Sequence, residues 1–320
     1  MEREALDLAA APTKLTPYFP PVVVNRAAKP VRSRIRVVLL NIAGGHQLSV
    51  IVDCLKRPPL NDADVVLLCE ADSGTWRSRR TDITSELAAA LDMSCAYVPE
   101  FGLTRGDGKI FAHLGNAILC AQPLDDVVAV AMPSPRTPPL FPRLRSRIVR
   151  IGTPTGFYAS ARFGRETITL GVAHLNSRCT PARREVQMAH YMAAFPSRGR
   201  AIFGGDLNTT TTELAGPSSL ARVAAYMIAS PRRFRAPQRH EPLFERIKEG
   251  GLEIDGVNVK YRSTFTFSGA IPRLMRPKLD WLAVRGMRPV AGTAAVIAPK
   301  QSLFSRRASD HDFVTVDLEL

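Results

Sequence analysis

Six times along this 320-residue chain an apolar, β-branched run ends on a carboxylate, an amide or an imidazole. The runs close on Asn41, on Glu70, on His174, on Asp206 with Asn208, on Asp280, and on Asp310 with His311. Each residue type suits metal-assisted attack of water on phosphorus. That reaction needs a cation on the phosphoryl oxygens, an oriented water and a proton for the leaving oxygen. A hard cation such as Mg²⁺ takes oxygen ligands and keeps several waters, so one or two carboxylates suffice. Glu70 is the first candidate ligand, with Asn41 beside it and Asp310 as a further oxygen. Asp206 and Asn208, one residue apart on a strand, point to the same side and can orient the water. His311 and His174 can move protons or neutralise developing charge. An imidazolium needs a carboxylate behind it to fix its tautomer and raise its pKa, and Asp280 is the candidate. The bland reading is that Asp, Asn and Gly are common wherever strands meet turns. It explains any one of these residues, but six such endings with this selection make a site.

The positioning elements read clearly from Ile35 onward. Short apolar runs bounded by turn residues are buried strands, here ending at Leu40, Glu70, Leu119, His174, Asp206 and Leu282. Gly44-Gly45 turns the chain into an amphipathic helix over about 47–56, which Pro58-Pro59 ends. Thr81 is placed to cap a helix over 82–91. Gly156–Phe163 and Glu166–His174 read as a hairpin around Gly164-Arg165. Thr180-Pro181 is a cap followed by a first-turn proline for a helix to about Phe195. A Pro- and Arg-rich connector spans 133–154, a polar insertion with helix follows Asn208 to about Pro237, and a helix over 241–248 stops at Gly250-Gly251. Residues 1–32, with Pro12, Pro17, Pro20, Pro21 and Pro30, read as an extended or disordered arm; residues 33–320 are expected to be one domain. Arg105-Gly106-Asp107 reads as a turn. Gly204-Gly205 is not a phosphate loop, for the downstream Gly-Lys-Ser/Thr is missing. Ser309 lacks the Gly-x-Ser-x-Gly elbow of a nucleophile. Without strict βαβ alternation the elements argue for packed, mostly antiparallel sheets with helices outside, an α+β arrangement.

Composition narrows the partners. Forty-three Lys and Arg against twenty-nine Asp and Glu give a net charge of +14. Such an excess favours polyanions: nucleic acid, an anionic membrane surface or a highly phosphorylated small molecule. Arginines filling solvated faces account for the same charge equally well. Two clusters are local, Arg232-Arg233-Phe234-Arg235 reaching on to Arg239, and Arg306-Arg307 just before Asp310-His311. Five scattered cysteines, none in C-x-x-C, argue against a disulfide framework and a zinc site, and read as buried small hydrophobes. No apolar stretch has membrane-span length, and Met1-Glu2-Arg3-Glu4 lacks the layout of a secretory signal. The expectation is a cytoplasmic protein, monomeric by default.

With these residues in hand, the chain from about Arg34 to Leu320 resembles the endonuclease/exonuclease/phosphatase superfamily, of deoxyribonuclease I-like fold. The blocks that carry the resemblance stand in family order: Asn41, Glu70, the Gly115–Leu119 strand, His174-Leu175, Gly205-Asp206-Leu207-Asn208, Leu279-Asp280-Trp281 and Ser309-Asp310-His311. The region from His240 to Glu245 and from Arg276 to Met287 is similar to a bacterial subgroup of unassigned substrate. The resemblance implies a four-layer α-β-β-α sandwich and Mg²⁺-dependent phosphoester hydrolysis, with Mn²⁺ as a substitute. It implies metal at Glu70, Asn41 and Asp310, and catalysis by His174, Asp206, Asn208, Asp280 and His311. Asn116, Asn208 and His174 would bind substrate. One departure stands out: where many members carry an arginine before the strand preceding His174, this chain has Thr155-Gly156-Phe157-Tyr158, with Arg150 and Arg162 as approximate substitutes. The leading expectation is a phosphodiesterase acting on DNA or RNA. The alternatives are a phosphoesterase for phospholipid head groups or inositol phosphates, with Phe141 and Phe157 as a small apolar loop, and a non-catalytic nucleic-acid-binding protein with a vestigial site.

Overall fold

The computed structural model describes residues 15–105, 108–134, 148–213, 225–226, 228–266, 276–302 and 305–320. Residues 1–14 of the arm, Gly106-Asp107, Phe141 with the centre of the connector, and residues 214–224 of the insertion lie outside the described residues.

Two sheets form the framework. The first contains β1 (Val22–Val24), β2 (Arg34–Asn41), β3 (Val65–Ser73), β4 (Ser94–Thr104), β5 (Ile110–Cys120), β7 (Val149–Gly152), β12 (Arg288–Pro289), β13 (Ala295–Ile297) and β14 (Phe313–Glu319). Its order is β1-β4-β5-β3-β2-β14-β12, with β7 added on β4 and β13 on β14. The second sheet runs β11 (Asp280–Arg285), β10 (Arg200–Asp206), β9 (Glu166–Val172), β8 (Thr155–Phe163), β6 (Leu124–Ala131). Pairing is antiparallel except for β2 with β3 and β9 with β10. Helices α1 (Leu48–Leu55) and α2 (Ile83–Leu91) cover the first sheet, and α3 (Pro181–Ala194) and α5 (Leu243–Glu249) the second, with α4 (Pro231–Arg235) beside the chain leading into β11.

Three apolar clusters correspond to the three interfaces of an α-β-β-α sandwich. Alternate residues of β2 and β3 show why. Val37, Leu39, Val65 and Leu67 face the second sheet and meet Phe157, Leu170 and Ile202. Val38, Leu40, Val66 and Leu68 face outward onto Ile51, Leu55 and Leu87 of the helices. Strands covered on both faces read as unbroken apolar runs, as these do. The third cluster packs Tyr191, Phe203, Phe244 and Trp281 beneath α3 and α5.

Several sequence expectations change in detail. Asp82, not Thr81, caps α2, accepting from Ser85 N–H at 3.2 Å. Thr180 caps α3 as read, with Pro181 in the first turn. Val22–Val24, within the stretch read as an arm, pairs with β4, and the connector contains β7. Phe157 is wholly buried between the sheets, so it contributes to no surface loop. All five cysteines are free and buried. Among the described residues no helix is long and apolar enough to cross a membrane.

Candidate functional site

Strand register gathers the chemistry at one end of the sandwich. Parallel pairing sets Asn41 opposite Cys69, hence beside Glu70. Parallel pairing of β9 and β10 sets Val172 opposite Gly204, which brings His174 and Asp206, two residues further on each chain, level. Antiparallel pairing places Asp206 against Asp280. His311 stands just before β14, whose Val314 pairs with Leu39 near the end of β2. A cavity of about 580 Å³ opens there, lined by Glu70, Glu100, His174, Asp206, Asn208, Asp310 and His311 among others.

Asp206 is the hub. Its Oδ2 lies 3.7 Å from His174 Nε2 and 3.5 Å from His311 Nε2, and accepts from Asn41 Nδ2 at 2.9 Å. The other oxygen accepts the Asn208 N–H at 3.0 Å. Asn208 is not on the strand: its φ is +49°, a turn conformation asparagine tolerates, and its Nδ2 donates to Leu175 O at 2.8 Å. It reaches the cavity through that turn, not through strand alternation.

Asp280 Oδ2 sits 2.8 Å from His311 Nδ1, with both side chains buried. Burial alone would drive His311 toward neutrality, but the Asp280 and Asp206 carboxylates outweigh it and hold the imidazolium up to about 10. Burial pushes Asp280 up to about 6, opposed by His311. At neutral pH the two therefore form an ion pair. Thr264 Oγ1 accepts from the N–H groups of both Leu279 and Asp280 at 3.0 Å, which fixes the strand start, and the Phe265 ring packs edge-on against His311.

The second histidine has a carboxylate that sequence reading passed over. Glu100 Oε2 lies 4.0 Å from His174 Nδ1, and its Oε1 accepts the Thr155 N–H at 3.2 Å. Burial pushes Glu100 up to about 7, against the pull of His174. His174 resists the downward push of burial and ends raised, through Asp206 and Glu100. The signal was there, since Cys95-Ala96-Tyr97-Val98-Pro99-Glu100 is one more apolar run ending on a carboxylate. Asn116 is wholly buried beside this pair, donating to Thr155 O at 3.0 Å, and does not line the cavity.

Glu70 and Asp310 stand at the accessible rim. Glu70 has φ +54°, at an irregularity in β3 between Leu68 and Ala71 that turns its side chain out of a strand otherwise buried there. Bulges beside sites re-aim side chains in this way, and the left-handed backbone stores strain that the fold supports. Arg77 grips Asp72 through two bonds of 2.9 Å and brings a guanidinium 4.0 Å from Glu70. Asp310 is exposed. Asn41, expected as an oxygen donor next to Glu70, instead turns its nitrogen toward it at 3.2 Å, because its oxygen accepts the Ala43 N–H at 3.0 Å. Glu70 and Asp310 both line the cavity and carry carboxylate oxygens of the kind a hard cation takes. Asp206, Asp280 and His311 also have ligand-type atoms within 4.8 Å of one another. In that set the His311 imidazolium already sits between the two carboxylates, and a metal would have to expel its proton.

Among the arginines, Arg150 and Arg178 line the cavity, whereas Arg162 is exposed away from it. Arg307 does not face the substrate space, since it holds its own loop through Ser309 O, His311 O and Asp312. Ser309 is structural, donating to Asn41 O at 2.6 Å and accepting from His311 N–H at 3.1 Å.

Fold and site together define a class. The sequence profile of the Endonuclease/Exonuclease/phosphatase family matches residues 38–311, and the chain belongs to that family. A family of this kind is generally hydrolytic on phosphoester bonds. Solved structures agree on the fold. An endonuclease/exonuclease/phosphatase from Beutenbergia cavernae DSM 12333 is 18% identical with a TM-score of 0.56, over 90% of this chain and 72% of that one. D. rerio TDP2 complexed with single strand DNA product is 14% identical with a TM-score of 0.53, over 90% of this chain and 100% of that one. A functionally unknown conserved protein from Enterococcus faecalis V583 is 13% identical with a TM-score of 0.55, over 89% of this chain and 99% of that one. No curated protein matches the chain.

Proposed function

We propose that this protein is a divalent-metal-dependent phosphodiesterase that cleaves nucleic acid by in-line attack of water. The observation that carries the reading is the convergence on Asp206 of two imidazoles and an amide, each with its own brace, beside the open carboxylates of Glu70 and Asp310. Mg²⁺, or Mn²⁺ in its place, would be held by Glu70 and Asp310 and would supply positive charge to the phosphoryl oxygens. Asn41 bridges Glu70 and Asp206 by donating to both, which offsets their mutual repulsion.

Asp206, with Asn208 beside it, orients the attacking water and accepts its proton. His311, kept cationic by Asp280, offers Nε2–H to the oxygens on which charge builds. His174, seated between Asp206 and Glu100, delivers the proton to the leaving oxygen. Asn116 acts behind Glu100 and supports this substrate-facing pair. The choice of nucleic acid rests on the +14 charge, on Arg150 and Arg178 in the cavity wall, and on the single strand DNA product held by the D. rerio neighbour.

The test is a turnover panel with single- and double-stranded DNA, RNA, sphingomyelin and inositol phosphates, each with Mg²⁺ and with chelator. Hydrolysis of DNA or RNA that chelator abolishes is expected. Turnover confined to sphingomyelin or inositol phosphates would move the substrate to a head group. No turnover with any of them would leave a binding protein.

A further inference from the structure

A second cavity, of about 780 Å³, lies between α4, the segment leading to α5 and the start of β11. Its wall carries Arg232, Arg235, Arg239, Lys260 and Lys278, against one carboxylate, Asp255, among the described residues. None of those five cations makes an ion pair among the described residues. Arg233, also in the wall, is committed elsewhere, donating to Thr211 and lying over the Tyr226 ring. Arg235 Nε is buried without a hydrogen-bond partner. Lys278, only 2% exposed, donates to Val259 O at 3.0 Å and lies 4.0 Å from the Trp281 ring centre.

Clustered cations repel one another, and a buried donor without an acceptor is costly. Both effects mark the cavity. Burial pushes Lys278 down to about 7 against the pull of the Asp280 carboxylate, and burial together with Arg233 and Arg239 lowers His240. An anion would relieve the repulsion. Guanidinium forks beside an ammonium suit phosphate oxygens above other anions. Tyr261, 56% exposed at the rim, adds an aromatic face on which a base can stack. The volume lies in the usual range for an organic ligand, which a bare ion would not fill.

We propose that this cavity is a second phosphate site, separate from the reaction centre, which takes the phosphate of a nucleotide unit. The unit belongs either to a nucleic-acid chain engaged elsewhere on the molecule or to a free phosphorylated compound. The two cavities share a wall, for Leu279 lines the first while Lys278 and Trp281 line the second. Phosphate binding in the second cavity requires no turnover at the first.

Trp281 provides the test, because the chain has two tryptophans and Trp76 is the exposed one. In the full-length Trp76→Phe protein, Trp281 emission is titrated in chelator with pyrophosphate and, separately, with a short single-stranded oligodeoxynucleotide. The titrations are repeated with Arg232, Arg239 and Lys260 all changed to Gln, three exposed side chains whose loss leaves the core intact. A saturable change is expected, weakened about tenfold or more in the triple variant. Saturation by pyrophosphate assigns a free phosphate compound as sufficient, and saturation by the oligonucleotide alone assigns a chain. No saturable change with either probe, or equal affinity in the triple variant, overturns the site. Since hydrolysis is not read, a failed turnover panel and a failed titration are separate results.

Discussion

At the scale of single residues, charge and burial decide behaviour. Glu70→Gln keeps shape and removes the negative charge that suits a dehydrated cation, so turnover should fall about 100-fold or more with little change in melting temperature. Undiminished turnover would remove Glu70 from the metal site. Asp280 and His311 are bonded at 2.8 Å in a buried pair and should act as a unit. Asp280→Asn and His311→Ala should each cost about 10³-fold in kcat/KM, and the double variant little more. Additive losses would show that the pair is uncoupled, and thermal melts run alongside detect any loss that comes from unfolding. Lys278 gives a stability prediction with a definite sign. Its folded pKa of about 7 lies below the ordinary lysine value of 10.5, so between those values the unfolded chain binds the extra proton. Stability should therefore rise with pH across that window. Lys278→Met should flatten the rise and stabilise the fold by about 1 kcal/mol, more at pH 7 than at pH 10. Urea melts at the two pH values measure both effects, and an unchanged slope would show that Lys278 is buried without this penalty.

At the scale of elements, the site depends on backbone approach as much as on side chains. Gly204-Gly205 precedes Asp206, and its meaning lies in packing. A Cβ on Gly205 would stand 1.8 Å from the backbone oxygen of Ala173, where β10 meets the end of β9. Gly205→Ala should therefore part the segments carrying His174 and Asp206 and cost about 3 kcal/mol. A urea midpoint within error of wild type would show that the two segments can separate freely. The irregularity that carries Glu70 belongs to the same scale: β3 gives up regular pairing between Leu68 and Ala71, and so an acid from a buried strand reaches the cavity rim.

Over the whole molecule, the +14 charge should appear in binding. If the ligand is a single-stranded nucleic acid, log affinity should fall linearly with log salt. Neutralising Arg232, Arg239 and Lys260 should reduce the slope by about 2, at roughly 0.7 for each phosphate no longer neutralised. Fluorescence anisotropy of a labelled oligonucleotide across a salt series measures it. A flat response would turn the substrate reading toward a small phosphorylated compound.

The sequence by itself determined the strands that close on Asn41, Glu70, His174 and Asp206, and the acids and imidazoles at those ends. Those follow from local pattern: an apolar run must be buried, and the polar residue where it ends must face something. Asn41, Glu70, His174, Asp206, Asp280 and His311 were all legible that way, as was the Thr180 cap. What the tertiary structure decided is who faces whom. Glu100 ends an apolar run like the others, yet its value comes from standing behind His174, a partner 74 positions away that only the packing of two sheets supplies. Asn41 looked like an oxygen donor until its own Ala43 N–H claimed that oxygen. Asn208 enters the cavity by a left-handed turn, where strand alternation alone placed it beside Asp206. The cations of the second cavity are scattered from Arg232 to Lys278 in the chain and become a site only when α4 folds against the start of β11. Side-chain direction, hydrogen-bond competition and the meeting of distant charges depend on three-dimensional neighbours, and a linear pattern does not contain them.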